Sequence, residues 1–318
     1  MPAISATAPG KIILFGEHAV VYGYPAIAVP VSGVRAKAII MARPMAPQGS
    51  VLIDAPDIDL KTNLYDLPHE HAFARLFTAL QDHLNIDYFP AFHLKVTSTI
   101  PIASGMGSGA AIAAAMVRAA GTFLGRPLSD EEVALLTYES EKAFHGTPSG
   151  IDNTVIGYTK PVWFVRGQPV EFLHIAAPFT LVIANSGIHA STADVVSAVR
   201  VMHDADPARV DDLFTQIGSI AEDAAKALQN GDVAALGPLM LENHQLLAQL
   251  NVSLPELDYL VDAAMNAGAL GAKLSGAGCG GNVIALVRPD DAHNVAEALL
   301  DSGAVETIIT HITPTEEF

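Results

Sequence analysis

Positive charge is scarce in this chain. Its 17 Lys and Arg residues stand against 34 Asp and Glu, a formal net charge of −17. A surface of that sign favours solubility and argues against nucleic acid or an anionic membrane as the main partner. Any anionic ligand must be met locally, by backbone N–H groups and a few well-placed cations. Cysteine is nearly absent. With Cys279 alone no disulfide can form within the chain, and a reducing cytoplasm is the expected compartment. No apolar run reaches the ~18 residues of a membrane helix, since the Ala-rich stretch 107–121 is shorter and carries Arg118. Lys11, Glu17 and His18 break up the N-terminal apolar residues, so no signal peptide is expected. Aromatic residues make up 6% of a chain that is 50% hydrophobic, so Ala, Val, Leu and Ile must build the core, which suits mixed α/β packing.

A chain of 318 residues is too long for one ordinary core and implies two domains. The Pro-bounded stretch 169–178 is the expected boundary, giving domains of 1–173 and 174–318. Short β-branched runs at 11–15, 34–42, 51–54 and 92–97 read as strands. Between them, Phe73, Leu76, Phe77 and Leu80 recur at helical spacing and predict a helix over 68–84. An Ala-rich helix is expected from about 110 to 123. Ser129 and Glu132 form a capping box for the next, reaching about 144. The segment 145–153 reads as a loop, and 162–165 as a strand. The second half alternates more loosely. Strands are expected at 180–184, 271–274, 282–286 and 305–310, and helices at 192–202, 208–229, 233–249, 256–267 and 291–300.

Three segments concentrate glycine around candidate chemistry. In the first, Gly10-Lys11 opens an apolar strand and Gly16-Glu17-His18 closes it. The pair is either a solvated surface turn or a place where backbone approaches a ligand closely. In the second, Pro101-Ile102-Ala103-Ser104-Gly105-Met106-Gly107-Ser108-Gly109-Ala110 alternates glycine with small residues just ahead of a helix. Such a loop can aim several N–H groups at one phosphate, aided by the helix dipole, or it can be small merely for close packing. It matches neither the P-loop nor the dinucleotide fingerprint. In the third, Lys273-Leu274-Ser275-Gly276-Ala277-Gly278-Cys279-Gly280 is a glycine turn between strands, either a hairpin or a second phosphate-facing loop. Glu141 and Asp152 could converge on a metal–nucleotide site. Glu141 reads equally as one of three surface glutamates, with Glu132 and Glu139, on an amphipathic helix. His69 and His71, two apart on the predicted helix, do not share a face and are not expected to bind metal.

Taken in order, these segments resemble the GHMP kinase superfamily. The runs A-P-G-K-I-I-L-F-G-E-H-A-V-V-Y-G at 8–23 and H-G-T-P-S-G-I-D-N at 145–153 are most similar to its mevalonate-phosphorylating members. The resemblance implies an α+β, two-domain GHMP kinase fold. Its N-terminal domain is like ribosomal S5 domain 2, its C-terminal domain is ferredoxin-like, and the active site lies in the cleft between them. It implies ATP and Mg²⁺ as cofactors, mevalonate as the small-molecule substrate and a homodimer as the assembly, with no nucleic-acid or membrane partner. Residue by residue, Asp152 and Lys11 match the catalytic pair at the attacking hydroxyl. Glu17, His18, Ser149, Gly150 and Thr192 match substrate-side positions. Residues 101 and 103–110 match the phosphate cradle, and Ser275, Gly276, Ala277 and Gly278 match the third motif. Glu141 matches the Mg²⁺ ligand. The family's G-L-G-S-S-A-A is G-M-G-S-G-A-A here, so Gly109 stands where a Mg²⁺-binding serine is usual. Ser108 or a water is expected to take that place. His18 is expected to hydrogen-bond substrate or Glu17.

Lys11 and Lys273, with Lys142 nearby, are the lysines counted toward the site. That favours an uncharged alcohol tail with one carboxylate over a phosphorylated substrate. A sister kinase acting on phosphomevalonate, homoserine or a sugar is the second expectation, and a ligand sensor without catalysis the third.

Overall fold

The computed structural model describes residues 3–101, 104–145 and 149–316. The strands run in the order β1 Ile4–Phe15, β2 Ala26–Ala42, β3 Val51–Ala55, β4 Leu60–Asn63, β5 Phe92–Ser98, β6 Val162–Phe164, β7 Glu171–Phe172, β8 Phe179–Asn185, β9 Gly271–Ser275, β10 Asn282–Val287 and β11 Glu306–Ile312. The helices are α1 Ala72–Leu84, α2 Ser108–Phe123, α3 Asp130–His145, α4 Ile151–Tyr158, α5 Thr192–Ala205, α6 Pro207–Asn230, α7 Val233–Gln249, α8 Pro255–Asn266 and α9 Ala292–Asp301.

The chain forms two compact units, and neither is one continuous stretch. The first comprises Met1–Gly10, Val34–Ile102 and Met106–Thr159; the second comprises Lys11–Gly33, Ala103–Gly105 and Lys160–Phe318. Compactness thus does not follow chain order at 173/174, because β1 and β2 each pass from one unit into the other.

In the first unit, the latter part of β2 pairs antiparallel with β5, from Ala36 opposite Ser98 to Ala42 opposite Phe92. β3 lies parallel to β5 and carries β4 on its far side. Phe73, Leu76, Phe77 and Leu80 of α1 are buried, as their spacing predicts. The helix starts later than expected. Residues 68–70 precede it as a turn, and His71 is its N-cap, with Nδ1 accepting the Phe73 N–H at 3.2 Å. His69 and His71 are therefore not helical neighbours at all.

In the second unit, an antiparallel sheet runs β11-β8-β10-β9. Every residue of β8, β9 and β10 is buried, including the polar Thr180, Asn185, Lys273, Ser275 and Asn282. Helix α7 lies against β9 where two glycines meet. A Cβ on Gly271 would fall 2.3 Å from the Gly237 carbonyl oxygen, so no side chain fits at that contact. The bounds of α7 are those its periodicity predicts. β1 and β2 are much longer than the strands expected at 11–15 and 34–42. The short β4 and β7 are additional to the expected strands, and α4 begins inside the segment 145–153 expected as a loop. No helix among the described residues is long and apolar enough to cross a membrane.

Candidate active site

The phosphate-loop segment ends in the first unit, at α2. The helix begins at Ser108, so Ser108 and Gly109 occupy its first turn and not the preceding loop. Gly107 is the N-cap, at φ 72°, a left-handed conformation that favours glycine. Being glycine, the N-cap supplies no side-chain cap hydrogen bond. The first intrahelical bond is Ala111 N–H to the Gly107 carbonyl, 2.9 Å. The N–H groups of Ser108, Gly109 and Ala110 are those a helix leaves without intrahelical acceptors. Met106 and Ala110 are fully buried, so their side chains serve the core and only their backbone can serve a ligand. Pro101 is half-buried, Gly105 is exposed, and Ala103 lies outside the described residues. Ser104 belongs to the second unit, where its carbonyl accepts the Asn282 side-chain amide at 2.6 Å.

Helix α3 opens with the expected capping box. Ser129 N–H donates to the Glu132 carboxylate at 2.7 Å, and the Glu132 N–H to Ser129 Oγ at 3.3 Å. The Ser129 amide and hydroxyl, with His83, hold the Glu132 carboxyl down to about 2. Glu132, Glu139 and Glu141 of this helix are not alike. Glu139 pairs with Lys142 at 2.6 Å on the outer side, whereas Glu141 is buried. The surface-helix reading of Glu141 is therefore corrected: it faces inward.

Asp152 is the second residue of α4, half-buried, and not in a loop as expected. Gly150 is the N-cap at φ 93°, and the exposed Ser149 accepts the Ile151 N–H at 3.4 Å. Residues 146–148 of the expected segment lie outside the described residues. The position of Asp152 is set by packing. Gly157 meets Ala134 so closely that a Cβ would lie 2.7 Å from it. Asn153 donates to the Ala134 carbonyl at 3.1 Å. The Arg118 guanidinium of α2 donates to the Gly157 carbonyl at 2.6 Å and to Asp130 at 3.0 Å. The uncapped end of α2, Glu141 and Asp152 thus come from three successive helices fastened to one another.

In the second unit, β1 carries Lys11, which is buried, and ends at Gly16. Gly16 has φ 94°, and a Cβ there would lie 2.3 Å from the Pro25 carbonyl oxygen. That turn delivers Glu17 and His18 inward, both buried. The Glu17 carboxylate forms an ion pair with Lys273, and Lys273 Nζ also donates to the Leu274 carbonyl at 2.6 Å. Both side chains are fully buried. Desolvation pushes the Glu17 carboxyl up and the Lys273 ammonium down, each opposed by the partner's charge. Lys273 is therefore tied to Glu17 and not disposed toward a ligand, contrary to its place in the lysine count. The two are 256 positions apart, and nothing local in the sequence signals the pairing.

Among the described residues His18 bonds the third motif and not Glu17: its Nε2–H donates to the Ala277 carbonyl at 2.7 Å. The ring proton is thus on Nε2, and burial holds the pKa below the usual histidine value. Ser275 closes β9 and donates from Oγ to the Ile13 carbonyl at 2.7 Å. The third motif is a hairpin, with Ser275 opposite Asn282, and its loop is strapped down on one side. Cys279 N–H donates to the Val252 carbonyl at 2.7 Å, and Gly281 N–H to the Ile188 carbonyl at 2.9 Å. Gly276 has open space where a side chain would stand. Thr192 is the first residue of α5, exposed, after the N-cap Ser191.

Among the described residues, no three His, Cys, Asp or Glu side chains gather as a cation site. A divalent ion here would draw most of its ligands from nucleotide and water, as Mg²⁺ readily does. The buried carboxylate of Glu141 and the hydroxyl of Ser108 fit that pattern.

The pattern of the GHMP kinases N terminal domain matches residues 71–160, and that of the GHMP kinases C terminal matches 224–305. Mevalonate kinase of Pyrococcus horikoshii is 32% identical over 325 residues, covering 96% of this chain and 94% of that one. The crystal structure of L. major mevalonate kinase in complex with R-mevalonate superimposes with a TM-score of 0.86 at 30% identity, covering 98% of this chain and 97% of that one. Methanococcus jannaschii mevalonate kinase superimposes with a TM-score of 0.83 at 28% identity, covering 99% of both chains. Glycine motifs, uncapped helix and buried carboxylate, met by similarity along the full length, place this chain in the GHMP kinase family, in its mevalonate kinase branch.

Proposed function

We propose that this protein transfers the γ-phosphoryl group of ATP to the 5-hydroxyl of mevalonate, giving 5-phosphomevalonate and ADP. The observation that carries the reaction class is the uncapped, glycine-led N-terminus of α2 beside helices bearing a buried Glu141 and a half-buried Asp152. Full-length similarity to mevalonate kinases carries the substrate.

Phosphoryl transfer needs positioning and charge neutralisation more than covalent chemistry. The first-turn N–H groups of α2 hold nucleotide phosphates. Glu141 and the Ser108 hydroxyl would hold Mg²⁺, which would supply positive charge to offset that of the phosphates. Asp152 orients the substrate hydroxyl and accepts its proton. Lys11 stabilises charge on the moving phosphoryl group. Ser149, Gly150, His18 and Thr192 face the substrate, and the amides around Gly276 face the phosphoryl group. Of the three lysines in the site segments, Lys273 is paired with Glu17 and Lys142 with Glu139, which disfavours a substrate bearing its own phosphate. The modules 1–173 and 174–318 remain the proposed domain division; the two matched family segments fall on either side of it. A cytoplasmic homodimer is the proposed setting.

The test is a coupled ADP-release assay with Mg·ATP against mevalonate, phosphomevalonate, homoserine and galactose. Turnover with mevalonate alone is expected. Turnover with another compound instead overturns the substrate, and ATP binding without any turnover favours a sensor. Gly109 makes a separate prediction. Placing a hydroxyl at the second position of α2 with Gly109→Ser lowers the Mg²⁺ concentration needed for half-maximal rate. Superimposable Mg²⁺ titrations of the two proteins would count against Mg²⁺ lying at this helix end.

A further inference from the structure

Three side chains outside the three glycine motifs connect both ends of the third-motif loop. His244 lies on α7 and is buried. Its Nδ1 accepts the Leu274 N–H at 3.3 Å, on the strand that leads into the loop. With Nδ1 accepting, the ring proton is on Nε2, which donates to Asp258 Oδ1 of α8 at 3.1 Å. The same oxygen accepts the Ser253 hydroxyl at 2.5 Å. Ser253 follows Val252, whose carbonyl holds the Cys279 N–H on the far side of the loop. Gly278 confirms how tight that strap is, since a Cβ there would lie 2.1 Å from the Val252 oxygen. The charges facing His244 are Asp258 and Asp262 from α8 and Lys273 from β9. Burial, the largest influence, keeps the imidazole neutral and Nδ1 available as an acceptor.

We propose that His244, Asp258 and Ser253 form a hydrogen-bonded clamp that grips the third-motif loop at both ends and positions it for phosphoryl transfer. These are positioning residues: none needs to touch substrate. The clamp explains why Leu274 N–H, on the fully buried β9, is met by a titratable side chain from a helix. It also explains why the segment 251–254 between α7 and α8 is drawn against the loop. Its activity readout rests on the kinase reading above, but a second readout does not. Cys279 sits in the clamped loop and is the chain's only cysteine, so thiol alkylation reports loop opening directly.

The experiment compares Asp258→Ala with Asp258→Asn. The Asp258 side chain is 52% exposed, so truncation leaves no buried cavity. The asparagine keeps an oxygen that accepts both hydrogen bonds. In Asp258→Ala, alkylation of Cys279 without nucleotide is expected to quicken about fivefold or more as local opening becomes easier. The kcat is expected to fall about tenfold, with KM for mevalonate unchanged, as both hydrogen bonds to the Asp258 carboxylate are lost. Asp258→Asn is expected to stay near the wild type in both. Unchanged alkylation and kcat in Asp258→Ala overturn the clamp, even when the wild type phosphorylates mevalonate. Faster alkylation in Asp258→Ala, restored in Asp258→Asn, upholds the clamp even when the wild type proves inactive toward mevalonate and the substrate reading falls.

Discussion

Replacing Asp152 with asparagine is expected to lower kcat by about 10²–10⁴-fold, the usual contribution of a positioned general base. The substitution is nearly isosteric, and the surroundings hold the backbone independently of the carboxylate. The Thr154 hydroxyl donates to the Gly150 carbonyl at 2.6 Å, Asn153 is anchored on Ala134, and Gly157 is wedged against α3. Helix α4 should therefore keep its place, and the unfolding midpoint should move little. What is lost is the acceptor for the hydroxyl proton. If Lys11 stabilises the transferring group as proposed, a residual rate above background should remain. Steady-state kinetics with mevalonate, read beside a thermal melt, makes the check. A folded variant with near-normal kcat would remove both roles assigned to Asp152, orientation and proton acceptance.

The second large effect is on stability. Lys273→Met leaves the Glu17 carboxylate buried without its counter-charge, a change that costs about 3–5 kcal/mol when one partner of a buried ion pair is removed. In a unit of this size the midpoint should drop by roughly 10 °C. Removing both charges is different, because neither then has to be stripped of water. Lys273→Met combined with Glu17→Leu should recover most of the loss, and the recovery is the diagnostic result. A single variant that melts within a degree or two of the wild type would mean that Glu17 and Lys273 are not a buried pair in solution. The double variant also asks what Glu17 does in the reaction. If it folds and keeps its KM for mevalonate, Glu17 anchors the first motif to the third and has no contact with substrate.

Much of the architecture was readable from local chemistry. The helical spacing of Phe73, Leu76, Phe77 and Leu80 marks α1 because an amphipathic helix presents one apolar stripe to the core. Ser129 and Glu132 announce the start of α3 because the two groups satisfy each other's backbone N–H. The glycines at 105, 107 and 276 mark turns because each takes a left-handed backbone that other residues adopt only at a cost. β2 begins at Ala26, well before the expected 34, and runs through Pro30, a residue that a rule built on ladder hydrogen bonds would place outside a strand. Helix α4 was hidden by Gly150 and Gly157, which look like loop residues but serve as an N-cap and a helix–helix contact.

By itself, then, the sequence determined most of the longer elements, the three motifs and their order, and hence the family. Those properties depend on neighbours a few residues apart, where spacing along the chain is also spacing in the molecule. Only the tertiary structure decided which charged groups are inside. Glu141 and Glu139 lie on one helix, yet one is buried and the other pairs with Lys142 at its surface. Glu17 finds Lys273 across 256 residues, and His244 finds Leu274 across 30. Burial and long-range pairing follow from how helices close on a sheet, and a charge's cost or use is fixed only once water has been removed around it.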